Sequence, residues 1–512
     1  MADVLSRVTT FAIDGLQSRR VSVEVDIRPG LPAFTVVGLG DIAVRESRER
    51  VRAALLNSGF DFPSRRITAN LAPASLRKAG PGFDLALAAG VLAASGQVPA
   101  TTLDAWAFVG ELSLSGAVRS CRGVLAVAEG ARRAGLEGIV VPAQRAGEAT
   151  LVDGIAVVAV TSLQELAAFL RGEVATRAVR PGPATAPSAA AGIDLADVRG
   201  QQAGVAALEV AAAGGHNLLL WGPPGAGKTM LARRLPTILP PLGREEALEV
   251  TRIHSIAGLH SAPGLVAQRP FRAPHHTVSA SGLVGGGSVP APGEVTLAHR
   301  GVLFLDELSE FARPALEALR QPLEDGWVTI VRGQQAARYP ARCMLVAATN
   351  PCPCGQAGVS ERCRCSEPDL ARHRRRLSGP LVDRLDLCLS LERPGSTALT
   401  EAPGETSAQV RARVTRARAI QAERLIGHAA TCNAQMDARQ TRDLVRATRP
   451  ALGLLALAYD ASYLSMRGHQ RILRVSRTIA DLCESPTVER DHVGRALTLR
   501  QHGARLGESA DG

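Results

Sequence analysis

The sequence predicts an α/β protein in three parts: a mixed α/β unit, a second α/β unit centred on a Gly-rich loop, and a helical C-terminal region. Three observations lead there. The run His216–Thr229, HNLLLWGPPGAGKT, passes from apolar residues through glycines into a helix-forming pattern. Downstream, the apolar stretch Gly301–Leu305 ends in two carboxylates, Asp306 and Glu307. From about residue 407 onward the apolar residues recur with helical rather than strand spacing.

The Gly-rich loop organises the rest. Leu218–Trp221 reads as a short buried strand and Lys228 to about Leu239 as the helix that follows. Gly222, Gly227, Lys228 and Thr229 stand at the spacing G-x-x-x-x-G-K-[ST], with Pro223, Pro224, Gly225 and Ala226 filling the loop. Glycines let backbone N–H groups turn inward around phosphate oxygens, and the helix N-terminus adds its partial positive charge. The lysine of such a loop reaches the outer phosphates, and the hydroxyl that follows it serves Mg²⁺. Lys78 and Lys228 are the two lysines of a chain that otherwise uses arginine for positive charge. A slim ammonium at Lys228 fits where a planar guanidinium would not.

At 512 residues the chain has room for two to four domains, and 46% hydrophobic residues support ordinary cores. No apolar run is long enough to span a membrane, and Met1–Gly15 lacks the charged-then-apolar pattern of a signal peptide. Nine cysteines, an odd number with four of them clustered, fit a reducing, cytoplasmic setting better than a disulfide framework. The net charge of +11 suits an anionic partner such as nucleic acid, and equally an arginine-rich solvated surface. With aromatics at 3%, base stacking is not the expected grip.

Residues 1–171 form the first unit. Arg20–Ile27 and Ala33–Val37 alternate like strands, Ala43–Ser58 is amphipathic, and Phe83–Ala94 and Val124–Ala134 read as helices. Leu136–Val141 and Ile155–Val160 complete the pattern as buried strands. Asn70–Leu87, NLAPASLRKAGPGFDLAL, and Gly110–Val118, GELSLSGAV, followed by a helix and IVVP, resemble the proteolytic domain of Lon. Where that family has its serine this chain has Gly82, and Leu125 falls where its lysine stands. A Ser–Lys dyad needs both groups, so the unit is expected to be non-catalytic.

Residues 172–192, rich in Pro, Ala and Gly, read as a linker. The second unit, 193–395, opens with a helix over Gln202–Ala213. Between Lys228 and Asp306 lies more chain than one helix and one strand require, including the turn-rich insert Arg269–Glu294 with His275–His276. Adjacent histidines converge poorly on one ion, so a structural or phosphate-contacting role is expected for them. Asp306, at a strand end beside the Gly-rich loop, is placed to hold Mg²⁺, and Glu307 to polarise a water. Trp327–Val331 and Arg342–Ala347 are expected to bracket a hairpin, the second run leading to Asn350, which could touch the γ-phosphate or the water.

Cys352-x-Cys354-x8-Cys363-x-Cys365 could bind Zn²⁺ tetrahedrally or stay as free thiols. Arg384, in the pattern D-R-L-D, either completes a neighbouring subunit's site or pairs within its own domain. Residues 396–512 form the helical region: Ala408–Arg424, Ala438–Thr448, Ala451–Tyr459, Gln470–Leu482 and Val488–Thr498, with a frayed end at GESADG.

In this order the motifs resemble those of AAA+ ATPases. Phe271–Gly287 (FRAPHHTVSASGLVGGG), Gly293–Leu308 (GEVTLAHRGVLFLDEL), Asn350–Gly355 (NPCPCG), Ser378–Asp386 (SGPLVDRLD) and Arg467–Leu482 (RGHQRILRVSRTIADL) resemble the magnesium-chelatase-like family called YifB or ComM. The likeness implies ATP and Mg²⁺ as cofactors and a homo-hexameric ring. It also implies action on single-stranded or branched DNA as a branch-migration motor in recombination and natural transformation. It would make Arg384 an arginine finger, Arg467 a sensor arginine with Arg474 as the second choice, and Asn350 a water-orienting sensor. The insert and the hairpin would face the pore. Two alternatives stand beside it: a chelatase-type motor remodelling a protein client, and an ATP-dependent protease, which Gly82 and Leu125 disfavour.

Overall fold

Strand alternation in the first unit places one face of a sheet on a core. The computed structural model describes residues 4–173, 192–260, 264–287, 290–332, 335–356, 363–377, 381, 384–461 and 464–500. Within them β1 (Val4–Asp14) and β2 (Gln17–Arg28) form a long antiparallel hairpin, with Val21, Val23 and Val25 fully buried at every second position. Next come β3 (Ala33–Val37), β4 (Arg66–Ala72), β5 (Trp106–Phe108), the small pair β6 (Glu111–Leu112) and β7 (Val118–Arg119), β8 (Gly138–Pro142) and β9 (Ala156–Val160). Seven of these make one mixed sheet in the order β3-β4-β2-β1-β5-β8-β9. The helix Asp84–Ala94 is buried at every residue and packs on β1 and β2, which is why its sequence is apolar all round. Sequence patterning anticipates β2 and β3 but not β1 or β4.

The second unit is a parallel sheet. Its strands are β10 (Leu218–Trp221), β11 (Phe271–Arg272), β14 (Val302–Leu305), β17 (Met344–Thr349) and β18 (Leu387–Ser390); β12 (Gly285–Gly286) and β13 (Ala291–Pro292) form a small pair in the insert, and β15 (Trp327–Arg332) and β16 (Gln335–Pro340) a separate hairpin. The order is β11-β14-β17-β10-β18, every pairing parallel. Covered on both faces, β14 and β17 are buried at every residue, and this makes them continuous apolar runs. The chain leaves β10 towards β11 on one side and returns to β18 on the other. Ligands of open α/β sheets bind at the carboxyl ends of the strands where the order reverses in this way.

Two expectations are corrected here. The hairpin partner of Trp327–Arg332 is Gln335–Pro340, not Arg342–Ala347. The residues leading to Asn350 form β17 in the centre of the sheet, because Met344–Thr349 is apolar at both parities and fits only a doubly covered strand. The stretch between Lys228 and Asp306 is also less irregular than its turn signals suggest. It contains the helix Arg244–Ala257, which starts with Glu245 and Glu246 and ends at Gly258 in the left-handed region.

The C-terminal helices Ser407–Arg424, Arg449–Asp460, Met466–Leu482 and Arg490–Thr498 share one core with the parallel sheet. Val410, Val414, Val475 and Ile479 belong to the same buried cluster as Leu208 and Ala211 of the helix Gln202–Gly214. The first unit docks on the helix Arg244–Ala257. Gly123 N donates to Ser255 O at 3.2 Å, Ser255 Oγ to Glu148 Oε2 at 2.5 Å, and Arg252 pairs with Glu129. Most of the stretch read as a linker, and the terminal GESADG, lie outside the described residues. Among the described residues no helix is long and apolar enough to cross a membrane.

Candidate functional site

The Gly-rich loop connects β10 to the helix Lys228–Ile238, as its sequence predicts. Gly227 caps that helix at φ 85 and Gly225 lies at φ 80, conformations that L side chains rarely adopt. At Gly222 the constraint is space, since a Cβ there would stand 2.2 Å from the Leu391 carbonyl oxygen. Nothing lies within 4 Å of the Cβ direction of Gly225, so the loop faces open space there. Lys228 Nζ donates to the carbonyls of Gly222 (2.6 Å) and Pro223 (3.0 Å) and to Asn350 Oδ1 (2.9 Å). Burial lowers the pKa of this ammonium, while Asp306 and Glu307 oppose the shift.

Thr229 Oγ1 donates to Asp306 Oδ2 at 2.8 Å, which brings together the hydroxyl and the carboxylate assigned to Mg²⁺. The chemistry of this donor set, hard oxygens beside an open phosphate cradle, fits magnesium. Glu307 leaves β14 at φ 52 and ψ 51, a strained conformation for a non-glycine residue, with its carboxylate exposed. His276 Nδ1 lies 3.6 Å from Glu307 Oε2. The His276 ring lies against His275, tilted by 34° (centroids 4.0 Å apart), and meets Phe311 edge-on at 6.5 Å. The insert therefore touches the carboxylate expected to polarise water, a contact that the bare pair His275–His276 does not reveal in sequence. Removing the imidazole in His276→Ala is expected to lower kcat about tenfold with KM unchanged, somewhat less than the about 10²–10⁴ carried by a general base itself. Steady-state kinetics check this, and equal kcat would separate His276 from the reaction.

Asn350 follows β17 and faces Lys228, and His373 Nε2 meets its carbonyl oxygen at 2.9 Å. Two residues on, the sulfurs of Cys352, Cys354, Cys363 and Cys365 gather in one cluster. A cavity of about 630 Å³ opens beside it, lined by Cys354, Cys365, Arg372, His373 and Arg376 among others; the Gly-rich loop does not line it.

The arginines divide. Arg384 is mostly buried and donates to Glu324 of its own chain. Arg467 is exposed near the start of the helix Met466–Leu482. Arg474, further along, donates to the carbonyls of Ala434 (2.8 Å) and Met436 (3.1 Å) within the helical region. Asp386, the last residue of D-R-L-D, lies 3.5 Å from His216 and 3.6 Å from Arg471. Burial works against its charge, but the neighbouring His216 and the Arg474 and Arg471 charges hold its carboxyl at about 2. This buried link between β18 and the helical region is a structural role that the sequence motif does not disclose.

In the first unit, Gly82 and Leu125 occupy the positions that the resemblance to Lon gives to its serine and lysine. A Cβ built on Gly82 would meet Val109 at 3.6 Å and Cys121 at 3.9 Å, and Leu125 is fully buried in an apolar cluster. Burial first, then Glu148, pushes the Cys121 thiol up to about 12, so it supplies no thiolate near neutral pH. Lys78 is buried and donates to the Pro73 carbonyl.

A Gly-rich phosphate loop, an Asp-Glu pair ending β14, a polar residue ending β17 and a helical lid on this parallel sheet define an AAA+ P-loop protein. Comparison with known proteins narrows the class. Residues 194–399 match the family described as magnesium chelatase, subunit ChlI; residues 23–145 match subunit ChlI of Mg-chelatase, and 404–500 the ChlI C-terminal region. An uncharacterized Mycobacterium tuberculosis protein is 47% identical over 503 residues, 98% of this chain and 99% of its own length. YifB of Escherichia coli is 44% identical over 498 residues, and Competence protein ComM of Haemophilus influenzae 43% over 504, each covering 97% of both chains. The chain belongs to the magnesium-chelatase ChlI family, together with YifB and ComM. A shorter likeness, 30% over 139 residues, to Lon protease 2 of Bacillus subtilis accords with the Lon-like first unit. The match over 23–145 also carries the chelatase subunit's name, so the first unit does not by itself separate this chain from chelatase subunits.

Proposed function

We propose that this chain is the protomer of a ring-forming, ATP-hydrolysing motor that acts on DNA, of the kind that drives branch migration in recombination or natural transformation. The observation that carries the ATPase reading is the convergence of Lys228, Thr229, Asp306, Glu307 and Asn350 at the carboxyl ends of β10, β14 and β17. Lys228 and the loop N–H groups bind the phosphates, Thr229 and Asp306 hold magnesium, Glu307 takes a proton from water, and Asn350 orients that water. Bound magnesium neutralises charge on the phosphate oxygens. Arg384 of a neighbouring copy, released from Glu324, acts as the arginine finger, and Arg467 reports from the lid. In this reading Cys352, Cys354, Cys363 and Cys365 bind zinc, residues 1–171 serve as a scaffold, and the ring is a cytoplasmic homo-hexamer.

DNA is favoured as the polymer by the net charge of +11 and by the relative named Competence protein ComM. Such a grip acts mainly on phosphates and weakens with salt. The family descriptions favour a second reading, a chelatase-type motor with a protein client. The two part in one experiment: ATPase rate with forked, Holliday-type and single-stranded DNA. The motor on DNA is expected to speed up severalfold with at least one of them and to lose the stimulation as salt rises. A rate indifferent to all three favours the protein client.

A further inference from the structure

The sulfurs of Cys352, Cys354, Cys363 and Cys365 all lie within 4.8 Å of one another. Three of the separations are 3.3 Å (Cys352–Cys354), 3.7 Å (Cys354–Cys363) and 3.9 Å (Cys352–Cys363). A tetrahedral zinc with Zn–S bonds of about 2.3 Å sets its sulfurs about 3.8 Å apart. Disulfides would require about 2.05 Å. The spacing is that of a closed four-thiolate site, and among the described residues no other group of His, Cys, Asp or Glu side chains gathers in this way. Soft thiolates select zinc and leave magnesium to the oxygen ligands of Thr229 and Asp306, so the two ions do not compete.

The position of the cluster gives it a task. Cys352 is buried two residues beyond Asn350, whose side chain holds Lys228. Gly355 lies at φ 77 with its Cα pressed onto the phosphate loop: a Cβ there would stand 2.6 Å from Pro224 Cδ and 3.9 Å from Asn350 Cγ. Cys365 leads directly into the helix Glu367–Leu377, from which buried His373 reaches the Asn350 carbonyl. One ion bound by the four sulfurs would tie together the end of β17, the underside of the phosphate loop and the start of that helix.

Resting on the zinc reading above, we infer that zinc in this cluster is a brace for the nucleotide site. It fixes Asn350 and Pro224 without touching nucleotide, so ATP turnover depends on a metal outside the reacting atoms. Binding releases the thiol protons and stabilises the local fold by the energy of the metal–thiolate bonds. Without it, Asn350 and the loop lose their fixed placement, and a shift of about 1 Å in a positioning group can cost about 10²-fold in rate.

The test uses the full chain purified without chelator from zinc-supplemented cells. Metal analysis is expected to find one zinc per chain, and cobalt substitution to give the intense visible bands of a tetrahedral thiolate site. The double variant Cys363→Ser/Cys365→Ser should lose the zinc, keep its helical circular dichroism, bind ATP more weakly and turn it over about 10²-fold more slowly. Cys363→His, which keeps a zinc ligand, should retain both metal and turnover, and it carries the test if the double variant fails to fold. Zinc only at trace level in the wild type overturns the site. Zinc present in the wild type but lost from the double variant, with ATP affinity and turnover unchanged, overturns the brace while leaving the metal site standing. Absent turnover in zinc-loaded wild type would instead count against the ATPase reading, and the dependence of ATP binding on zinc would still decide the brace.

Discussion

Glu307→Gln is expected to bind ATP as tightly as the wild type and to hydrolyse it about 10²–10⁴-fold more slowly, the range that a general base supplies. The change keeps the side chain's size and removes only its capacity to take a proton. Among the groups proposed for phosphate and magnesium, the Lys228 side chain holds Asn350 and the Thr229 side chain holds Asp306, while Glu307 meets Asp306 through its backbone N–H, which glutamine keeps. The strained backbone at position 307 keeps the exposed side chain at the end of β14 in either residue. Equilibrium binding of ATP and steady-state phosphate release measure the two halves separately. Wild-type turnover in this variant would remove Glu307 from the chemistry, and lost binding would mean that it belongs to the cradle.

Arg384→Ala separates two roles by magnitude. Within the chain Arg384 pairs with Glu324, a half-exposed carboxylate, and such a pair is worth about 0–1 kcal/mol. If that pair were its whole role, the variant would unfold at a slightly lower temperature and hydrolyse ATP almost normally. As an arginine finger it is expected to lose about 10³–10⁵ in turnover with folding intact. Mixing Arg384→Ala with Lys228→Ala protein should restore part of the activity, because a shared site can draw its lysine from one copy and its arginine from the next. Glu324→Gln is the control: it releases Arg384 without removing it, and turnover should survive. Failure of the mixture to recover, with near-normal turnover in Arg384→Ala alone, would reduce the residue to its salt bridge.

The ATP site is the most legible part of this chain because its chemistry is local. Gly222 to Thr229 fix a strand, a loop and a helix within a single stretch, and steric demands at Gly222 and Gly227 admit few other residues. Asp306 and Glu307 follow an apolar strand and could be placed from pattern alone. Less legible was Met344–Thr349. An apolar run bounded by turns suits a hairpin or a buried parallel strand equally well, and only its pairing with β10 and β14 decides between them. His276 escaped for a related reason: its contact with Glu307 joins an insert to a strand end, and no spacing rule connects them.

Sequence by itself determined the phosphate loop, the acidic pair and the helical character of the lid. These depend on residue type and short-range order, which the chain carries explicitly. Tertiary structure alone decided which strands neighbour β10, that four thiols meet beneath Asn350, that Asp386 ties β18 to the lid through His216 and Arg471, and that the first unit seats on the helix Arg244–Ala257. All but the thiol cluster depend on residues distant in sequence being brought together by burial of apolar faces, and that burial has many sequence solutions but one geometry here.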